Sequence, residues 1–104
     1  MRHPIAAAAM FGASMLAATG ARADACRIDQ RVIKIVAEEY GKKPGQVSPR
    51  DKFAVDGRNT IEDVEIKLGV EQAFKVKIAD ADWAKLVLVR DIVDYLKRQL
   101  KSCG

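Results

Sequence analysis

Apolar residues in the first third of the chain recur at steps of three and four, the period of a helix with one buried face. The members of this series are Ile28, Val32, Ile35, Val36 and Tyr40. Gly41 follows the series and Pro44 comes soon after it, so the first helix is predicted to end near Tyr40. Asp24 or Asp29 is the candidate N-cap of this helix.

Residues 41–58 show no helical period and contain several prolines and glycines, so they are predicted to form a long loop. The loop also carries Val47, Phe53 and Val55. These apolar residues predict that the loop packs on the core and is not a free linker.

A second helix is predicted to start near Asn59 or Thr60. The segment Thr60-Ile61-Glu62-Asp63 resembles a capping box in which Asp takes the place of Glu. The acidic first turn suits a helix N-terminus. The predicted apolar stripe of this helix is Ile61, Val64, Leu68 and Phe74.

Two further helices complete the pattern. Residues Asp80 to Leu86 are predicted to form a short helix around Trp83, and a last helix runs from about Val89 to Lys101. The residues that the last helix is expected to bury are Val89, Ile92, Val93, Leu96 and Leu100. The predicted class is all-α, with three main helices, one short helix and a long first loop. We expect the core to include Phe53, Leu68, Phe74 and Leu96.

The N-terminal residues have the three parts of a secretory signal peptide. Arg2 and His3 form a positive segment, an apolar run extends from Ile5 to about Ala18, and Ala21-Arg22-Ala23 is a cleavage site. We therefore expect residues 1–23 to be a signal peptide and residues 24–104 to be a helical domain, periplasmic or secreted, with no transmembrane segment after processing. Ala23-Asp24-Ala25 is an alternative site, with cleavage after Ala25. A membrane anchor is the competing interpretation, but the apolar run is short for a bilayer span.

Loss of residues 1–23 would change the charge and the chemistry of the chain. Arg2 and Arg22 would leave, so 16 basic residues would face 14 acidic ones and the net charge would be about +2. That charge is too small to indicate nucleic-acid binding. His3, the one histidine, would leave too, which excludes Ser/His/Asp and Cys/His catalysis. No glycine-rich phosphate motif is present, and we expect no enzymatic activity.

The cysteines Cys26 and Cys103 lie near the two ends of the predicted domain. In an oxidising compartment such a pair normally forms a disulfide, and closing so long a loop is worth roughly 4 kcal/mol in the chain-entropy model. A redox pair or a metal site is the alternative. The metal site is weak, because the two cysteines are far apart and no histidine remains.

The order of these elements, over about residues 27–100, resembles the acyl carrier protein family. The residues that carry the resemblance are Val32 to Gly41, Val47-Ser48, Phe53, Thr60 to Ile66, Phe74, Ile78, Asp80 and Ile92 to Leu96. The resemblance implies a four-helix bundle whose acidic second helix faces basic patches on partner proteins. It also implies a phosphopantetheine arm on a serine in an Asp-Ser-Leu-type motif at the start of that helix.

This chain departs from the family pattern at the attachment site. Asn59 and Thr60 stand where the aspartate and serine are expected, and the preceding loop is one residue short. Lys67 interrupts the acidic face, and Val87-Leu88 replaces the polar residues that usually cap the last helix. We interpret Thr60 as a helix N-cap and a vestigial carrier position, and we expect no phosphopantetheine, because coenzyme A is a cytosolic metabolite.

The favoured function is a monomeric, exported binding module that docks a periplasmic or envelope protein through the second helix. The predicted contact residues are Arg58, Glu62, Asp63, Glu65 and Glu71. Plain solvation of these charges is the competing interpretation. Two other functions stay open: a genuine acyl carrier modified at Thr60, and a small protein that binds an acyl chain or lipid between its helices.

Overall fold

The computed structural model describes residues 27–100, and these form four α-helices and a short 3-10 helix. Their bounds are α1, Ile28–Glu39; the 3-10 helix, Pro44–Gln46; α2, Ile61–Phe74; α3, Asp80–Trp83; and α4, Val89–Leu100. Extended pairing in this part of the chain is limited to one bridge between Lys52 and Leu88. The predicted all-α class and four-helix arrangement are confirmed. The predicted signal peptide, its cleavage site and the Cys26–Cys103 disulfide lie outside the described residues.

Helix α1 buries the face that its apolar period predicts. Its buried residues are Ile28, Val32, Val36 and Ala37, and Ile35 and Tyr40 pack against the core from its edge. The predicted N-cap is wrong for Asp29, which lies in the first turn, while Arg27 occupies the cap position. Asp24 lies outside the described residues. The helix ends as predicted, because Gly41 adopts φ +64°, a conformation that a side chain disfavours.

The loop between α1 and α2 packs on the bundle, as its apolar residues predict. Val47 and Phe53 are buried, whereas Val55 is exposed, contrary to the prediction. The hydroxyl of Tyr40 donates to the carbonyl oxygen of Phe53 at 2.7 Å. The loop also holds the start of α4, since the amide of Val89 donates to the carbonyl oxygen of Asp51 at 2.8 Å.

Helix α4 is strongly one-sided and buries the predicted residues. Val89, Ile92, Val93 and Leu96 are buried together with Tyr95, and Leu100 packs at the edge of the core. A carboxylate in the first turn caps the helix in place of the polar residues missing before it. Asp91 Oδ2 accepts hydrogen bonds from the amides of Val87 at 3.0 Å and Leu88 at 2.8 Å. The bond from Leu88 is the main reason that the pKa of Asp91 lies below its ordinary value.

Helix α2 faces the core with a different stripe from the predicted one. Ile61, Val64 and Leu68 are 77%, 47% and 44% exposed, and the buried positions are Asp63, Ile66, Val70 and Phe74. The prediction that Leu68 is a core residue is therefore wrong, while the predictions for Phe53, Phe74 and Leu96 are confirmed. The helix carries apolar residues on two faces, so its period alone fits either orientation.

Contacts between α1 and α2 explain which face of α2 points inward. A Cβ atom on Gly69 would lie 3.1 Å from the Cγ2 atom of Ile35, so the two helices approach closely at the glycine. Arg31 donates to the carbonyl oxygen of Ala73 at 2.8 Å. Because Ile35 meets Gly69 and Arg31 meets Ala73, the two helices run antiparallel.

None of the helices among residues 27–100 has the length and apolar character of a membrane-spanning segment.

Candidate docking face of the second helix

The start of α2 is built around the hydroxyl of Thr60. Thr60 is the N-cap residue, and its Oγ1 accepts a hydrogen bond from the amide of Asp63 at 3.3 Å. The same hydroxyl donates to the carbonyl oxygen of Gly57 at 3.1 Å. The predicted capping role of Thr60 is thereby confirmed, and its hydroxyl is engaged both as acceptor and as donor.

Asp63 turns into the domain and is only 3% exposed. Its Oδ1 accepts from Trp83 Nε1 at 2.9 Å, and its Oδ2 accepts from the amide of Asn59 at 2.8 Å. Its Oδ2 also lies 3.5 Å from the Nε atom of Arg58. The structure therefore corrects the predicted contact set: Asp63 ties the start of α2 to α3 and has almost no surface to offer a partner. It can be buried because its oxygens are paired.

Arg58 holds the loop before α2 against the end of α3. Its guanidinium donates to the carbonyl oxygens of Leu86 and Trp83, the second at 2.8 Å. The guanidinium carbon lies 5.1 Å from the centre of the Phe53 ring, within range of a cation–π contact. The side chain is 34% exposed, so a partner can reach its edge while the donors that form these bonds stay occupied.

Trp83 is buried, and the sequence did not indicate the residues that it contacts. Its ring is 4.9 Å from that of Phe53, it is 6% exposed, and it donates to Asp63. A single tryptophan in a short acidic helix signals a buried anchor, but nothing in the sequence pairs it with a carboxylate in α2. The ring fills the space between the loop, α2 and α3.

A surface cleft of about 400 Å³ runs between α2 and α3. Its lining includes Val64, Leu68 and Trp83, with Arg58, Asp63, Lys67 and Asp80 as charged members. Lys67 and Asp80 form an ion pair across it. Their hydrogen bond raises the pKa of Lys67 and lowers the pKa of Asp80. Lys67, which interrupts the acidic face of α2, therefore has a carboxylate partner in α3.

The exposed face of α2 is the apolar stripe formed by Ile61, Val64 and Leu68. These positions lie at i, i+3 and i+7, so they align along one side of the helix. Val64 and Leu68 border the cleft toward α3, while Glu65 lies on the opposite side, in a groove shared with α1. The stripe therefore separates a mixed-charge cleft from an acidic groove.

The acidic flank of the stripe consists of Glu38 and Glu39 of α1 with Glu62 and Glu65 of α2. Glu38, Glu39 and Glu65 line one groove. The pKa of Glu39 is raised, first by partial burial and then by the charges of Glu65 and Glu62. Two predicted contact residues, Glu62 and Glu65, thus lie near Glu38 and Glu39 of α1, which the sequence did not indicate.

Glu71, the remaining predicted contact residue, lies further along α2. It is half-buried, and its Oε2 accepts from the amide of Ile78 at 2.8 Å. That bond fixes the segment that follows α2.

Among residues 27–100, no three His, Cys, Asp or Glu side chains are grouped so that they could hold a metal ion.

Comparison with known proteins identifies the family. An acyl carrier protein of Rickettsia bellii strain RML369-C is 38% identical over 71 residues, which cover 67% of this chain and 83% of the relative. The chain belongs to the acyl carrier protein family. An acyl carrier protein of Rickettsia bellii strain OSU 85-389 is 39% identical over 71 residues, covering 67% of this chain and 88% of the relative. No model in a scan of protein families matches the sequence.

Thr60 stands at the position where the family pattern has its modified serine, and a threonine carries a methyl group beside its hydroxyl. The hydroxyl also caps α2 and bonds to the Gly57 carbonyl, so modification would remove its donor bond.

Proposed function

We propose that this protein is a non-catalytic, exported member of the acyl carrier protein family that docks a partner protein in the periplasm or envelope. The docking surface is the exposed stripe of α2 with its acidic flank. The observation that carries the proposal is the alignment of Ile61, Val64 and Leu68 on the solvent side of α2. None of the three belongs to the buried core of residues 27–100.

Burial of the apolar stripe would favour association with a partner protein. Three aligned aliphatic side chains at 44–77% exposure leave apolar surface in water, and covering that surface on association is favourable. Single exposed apolar residues are common on proteins, but an aligned stripe on one helix suits a groove in a partner. The spacing of the three positions matches the way a helix presents anchors to such a groove.

The acidic flank would set the orientation in which a partner binds. Glu38, Glu39, Glu62 and Glu65 all lie on the α1 side of the stripe, whereas the α3 side carries Lys67 paired with Asp80. A partner that places basic residues on one side of an apolar groove would match this surface in one orientation only. Charge complementarity of this kind favours correct encounter and penalises the reversed arrangement.

We also propose that Thr60 carries no phosphopantetheine. The support is the threonine itself, its engaged hydroxyl, and the predicted export of the chain away from cytosolic coenzyme A. The names of the relatives favour a second candidate, a carrier loaded at Thr60. Intact mass of protein from its native host decides between them, because an arm adds mass that Thr60→Ala would abolish.

Binding of an acyl chain or lipid between the helices has weaker support. The cleft between α2 and α3 has four charged residues in its lining, and Trp83 occupies the space beneath it. An alkyl chain there would have to displace the indole ring from both Phe53 and Asp63. Organic extraction of the purified protein followed by mass spectrometry tests this candidate.

The docking proposal is tested with one partner isolated by pull-down from envelope extract, identified and purified. Its affinity is measured by calorimetry for the wild type and for Ile61→Gln with Leu68→Gln. Two anchors lost from an interface should weaken binding at least about tenfold. The matched control is Val55→Gln with Val87→Gln, two exposed valines outside α2, which should bind like the wild type.

A charge reversal tests the acidic flank separately. Glu62→Lys with Glu65→Lys should abolish binding of the same partner without unfolding the domain, and the wild-type affinity should fall with added salt. Circular dichroism establishes folding in each variant. If both double variants are folded and bind as tightly as the wild type, the docking face is not on α2.

A further inference from the structure

Basic residues gather at the start of α1 and the end of α2, away from Glu39, Glu62 and Glu65 of the acidic flank. A surface cleft of about 430 Å³ is lined by Arg27, which precedes α1, and by Arg31 and Lys34 of α1. Its other lining residues are Gln30, Ile35, Glu38 and Ala73, so one carboxylate of the acidic flank borders it. Lys75, the residue after α2, is exposed and follows Phe74, whose ring lies 4.2 Å from the guanidinium carbon of Arg31. We call Arg27, Arg31, Lys34 and Lys75 the basic end.

The antiparallel packing of α1 and α2 produces this separation of charge. The start of α1 lies beside the end of α2, where Arg31 bonds to the Ala73 carbonyl. The end of α1 lies beside the start of α2. There burial, and then the charges of Glu65 and Glu62, raise the pKa of Glu39. At a rise of about 1.5 Å per residue, the 14 residues of α2 place Lys75, after its end, about 20 Å from Glu62 in its first turn. Glu38 lies between these ends, one turn of α1 from Lys34.

Three of the four cations are free to meet a ligand. Arg31 already donates to a carbonyl and stacks on Phe74. Arg27, Lys34 and Lys75 are exposed, and none of them forms an ion pair with a carboxylate of residues 27–100. These side chains keep their charge available to an anionic surface.

We propose that the basic end binds an anionic lipid surface and so turns the acidic start of α2 toward the aqueous side. Arg27, Lys34 and Lys75 are exposed cations on one part of the surface, and their charge is complementary to that of anionic headgroups. The predicted export of the protein brings it past a membrane, and clusters of basic residues next to such a surface bind anionic headgroups.

The surface is less suited to nucleic acid. Single-stranded nucleic acids bind proteins through exposed aromatic rings on which bases stack. In the described part of the chain, Phe53, Phe74, Trp83 and Tyr95 are buried, and Tyr40 lies at the far end of α1. The basic end therefore has cations over aliphatic side chains such as Ile35 and offers no stacking platform.

The test is sedimentation with vesicles, using the protein in the form that its native host produces. Vesicles of phosphatidylglycerol mixed with phosphatidylcholine should bind the protein, with an affinity that falls as salt rises, and pure phosphatidylcholine vesicles should not. Each juxtamembrane cation contributes about a fivefold change in affinity. The variant Arg27→Gln/Lys34→Gln/Lys75→Gln should therefore bind anionic vesicles about 100-fold more weakly.

A matched control separates the basic end from net charge. The variant Lys42→Gln/Lys52→Gln/Lys85→Gln removes three exposed cations elsewhere and should keep near wild-type binding. Equal loss in the two variants, equal binding to both kinds of vesicle, or tighter binding of duplex DNA than of anionic vesicles at the same salt would overturn the proposal. Affinity for the protein partner should be unchanged in the first variant, so this test is independent of the docking proposal.

Discussion

Helices α4 and α2 use their apolar residues in different ways. In α4, the apolar residues lie on one side and are buried or packed at the edge of the core. In α2, Ile66, Val70 and Phe74 are buried, Ile61, Val64 and Leu68 are exposed, and a carboxylate lies inside. A one-sided helix has a single way to bury its apolar surface. A helix that is apolar on two sides has more apolar residues than the core needs, and the surplus is available for binding.

Asp63 shows how the buried side of α2 remains stable with a charge inside it. The carboxylate accepts from Trp83 and from the amide of Asn59, and Arg58 lies beside it. No buried side-chain nitrogen or oxygen among the described residues lacks a partner. The inward face of α2 thus replaces one aliphatic position with a polar network that connects the loop, α2 and α3.

The largest expected effect compares the two sides of α2 directly. Ile66→Ala should lower the free energy of unfolding by about 2–5 kcal/mol, since Ile66 is fully buried. Leu68→Ala should cost less than about 1 kcal/mol, since much of that side chain is already in water. Urea denaturation monitored by circular dichroism measures both. Equal losses would mean that the two sides of the helix do not differ as the structure indicates.

Removal of the buried carboxylate should have the next largest effect. Asp63→Ala leaves Trp83 Nε1 and the Asn59 amide without their acceptor, which should cost about 1–3 kcal/mol. Asp63→Asn keeps one acceptor oxygen and should cost less. Glu65→Ala, an acidic residue on the exposed side, is the control and should be nearly neutral. The role assigned to Asp63 would be refuted if Asp63→Ala and Glu65→Ala melted at the same temperature.

Loss of the cap should have a smaller effect. Thr60→Ala removes the oxygen that accepts from the Asp63 amide and should cost about 1 kcal/mol. Thr60→Ser retains that oxygen and should change stability little. Thermal unfolding of the three proteins measures the difference, and partner affinity should be unchanged in both variants. A large loss of partner binding in folded Thr60→Ser would point instead to a direct role for the threonine methyl group.

The smallest expected effect concerns the acidic flank. The pKa of Glu39 is raised in the folded protein, so its ionised form is less favourable there than in the unfolded chain. Ionised Glu39 therefore destabilises the fold at neutral pH, and this cost disappears as the pH falls through its raised pKa. Glu39→Gln should be slightly more stable than the wild type near pH 7 and equal to it near pH 3. Denaturation across pH measures the gap. A gap that is absent near pH 7, or that does not close by pH 3, would contradict the raised pKa that burial and the charges of Glu65 and Glu62 give Glu39.

Much of the fold followed from local signals in the sequence. The period of α1 and α4, the stop at Gly41 and the cap at Thr60 each depend on residues within a few positions of one another. The surroundings of the predicted contact residues followed less from local signals. Glu62 and Glu65 lie beside the exposed stripe, but Asp63 is buried. Glu38 and Glu39, which lie near them, belong to α1. Residues distant in the chain decide those positions.

Local sequence signals specify the helices, their order, the loop that packs on them and the family to which they belong. Spacing and caps act within one or two turns, and identity to relatives reports the shared arrangement. Which side of α2 is buried depends on contacts with other helices. Both sides carry aliphatic residues, so the choice depended on the close approach of Ile35 at Gly69 and on Trp83 reaching Asp63. Those contacts leave Ile61, Val64 and Leu68 in solvent, because a helix in a small bundle buries only the side that faces its neighbours.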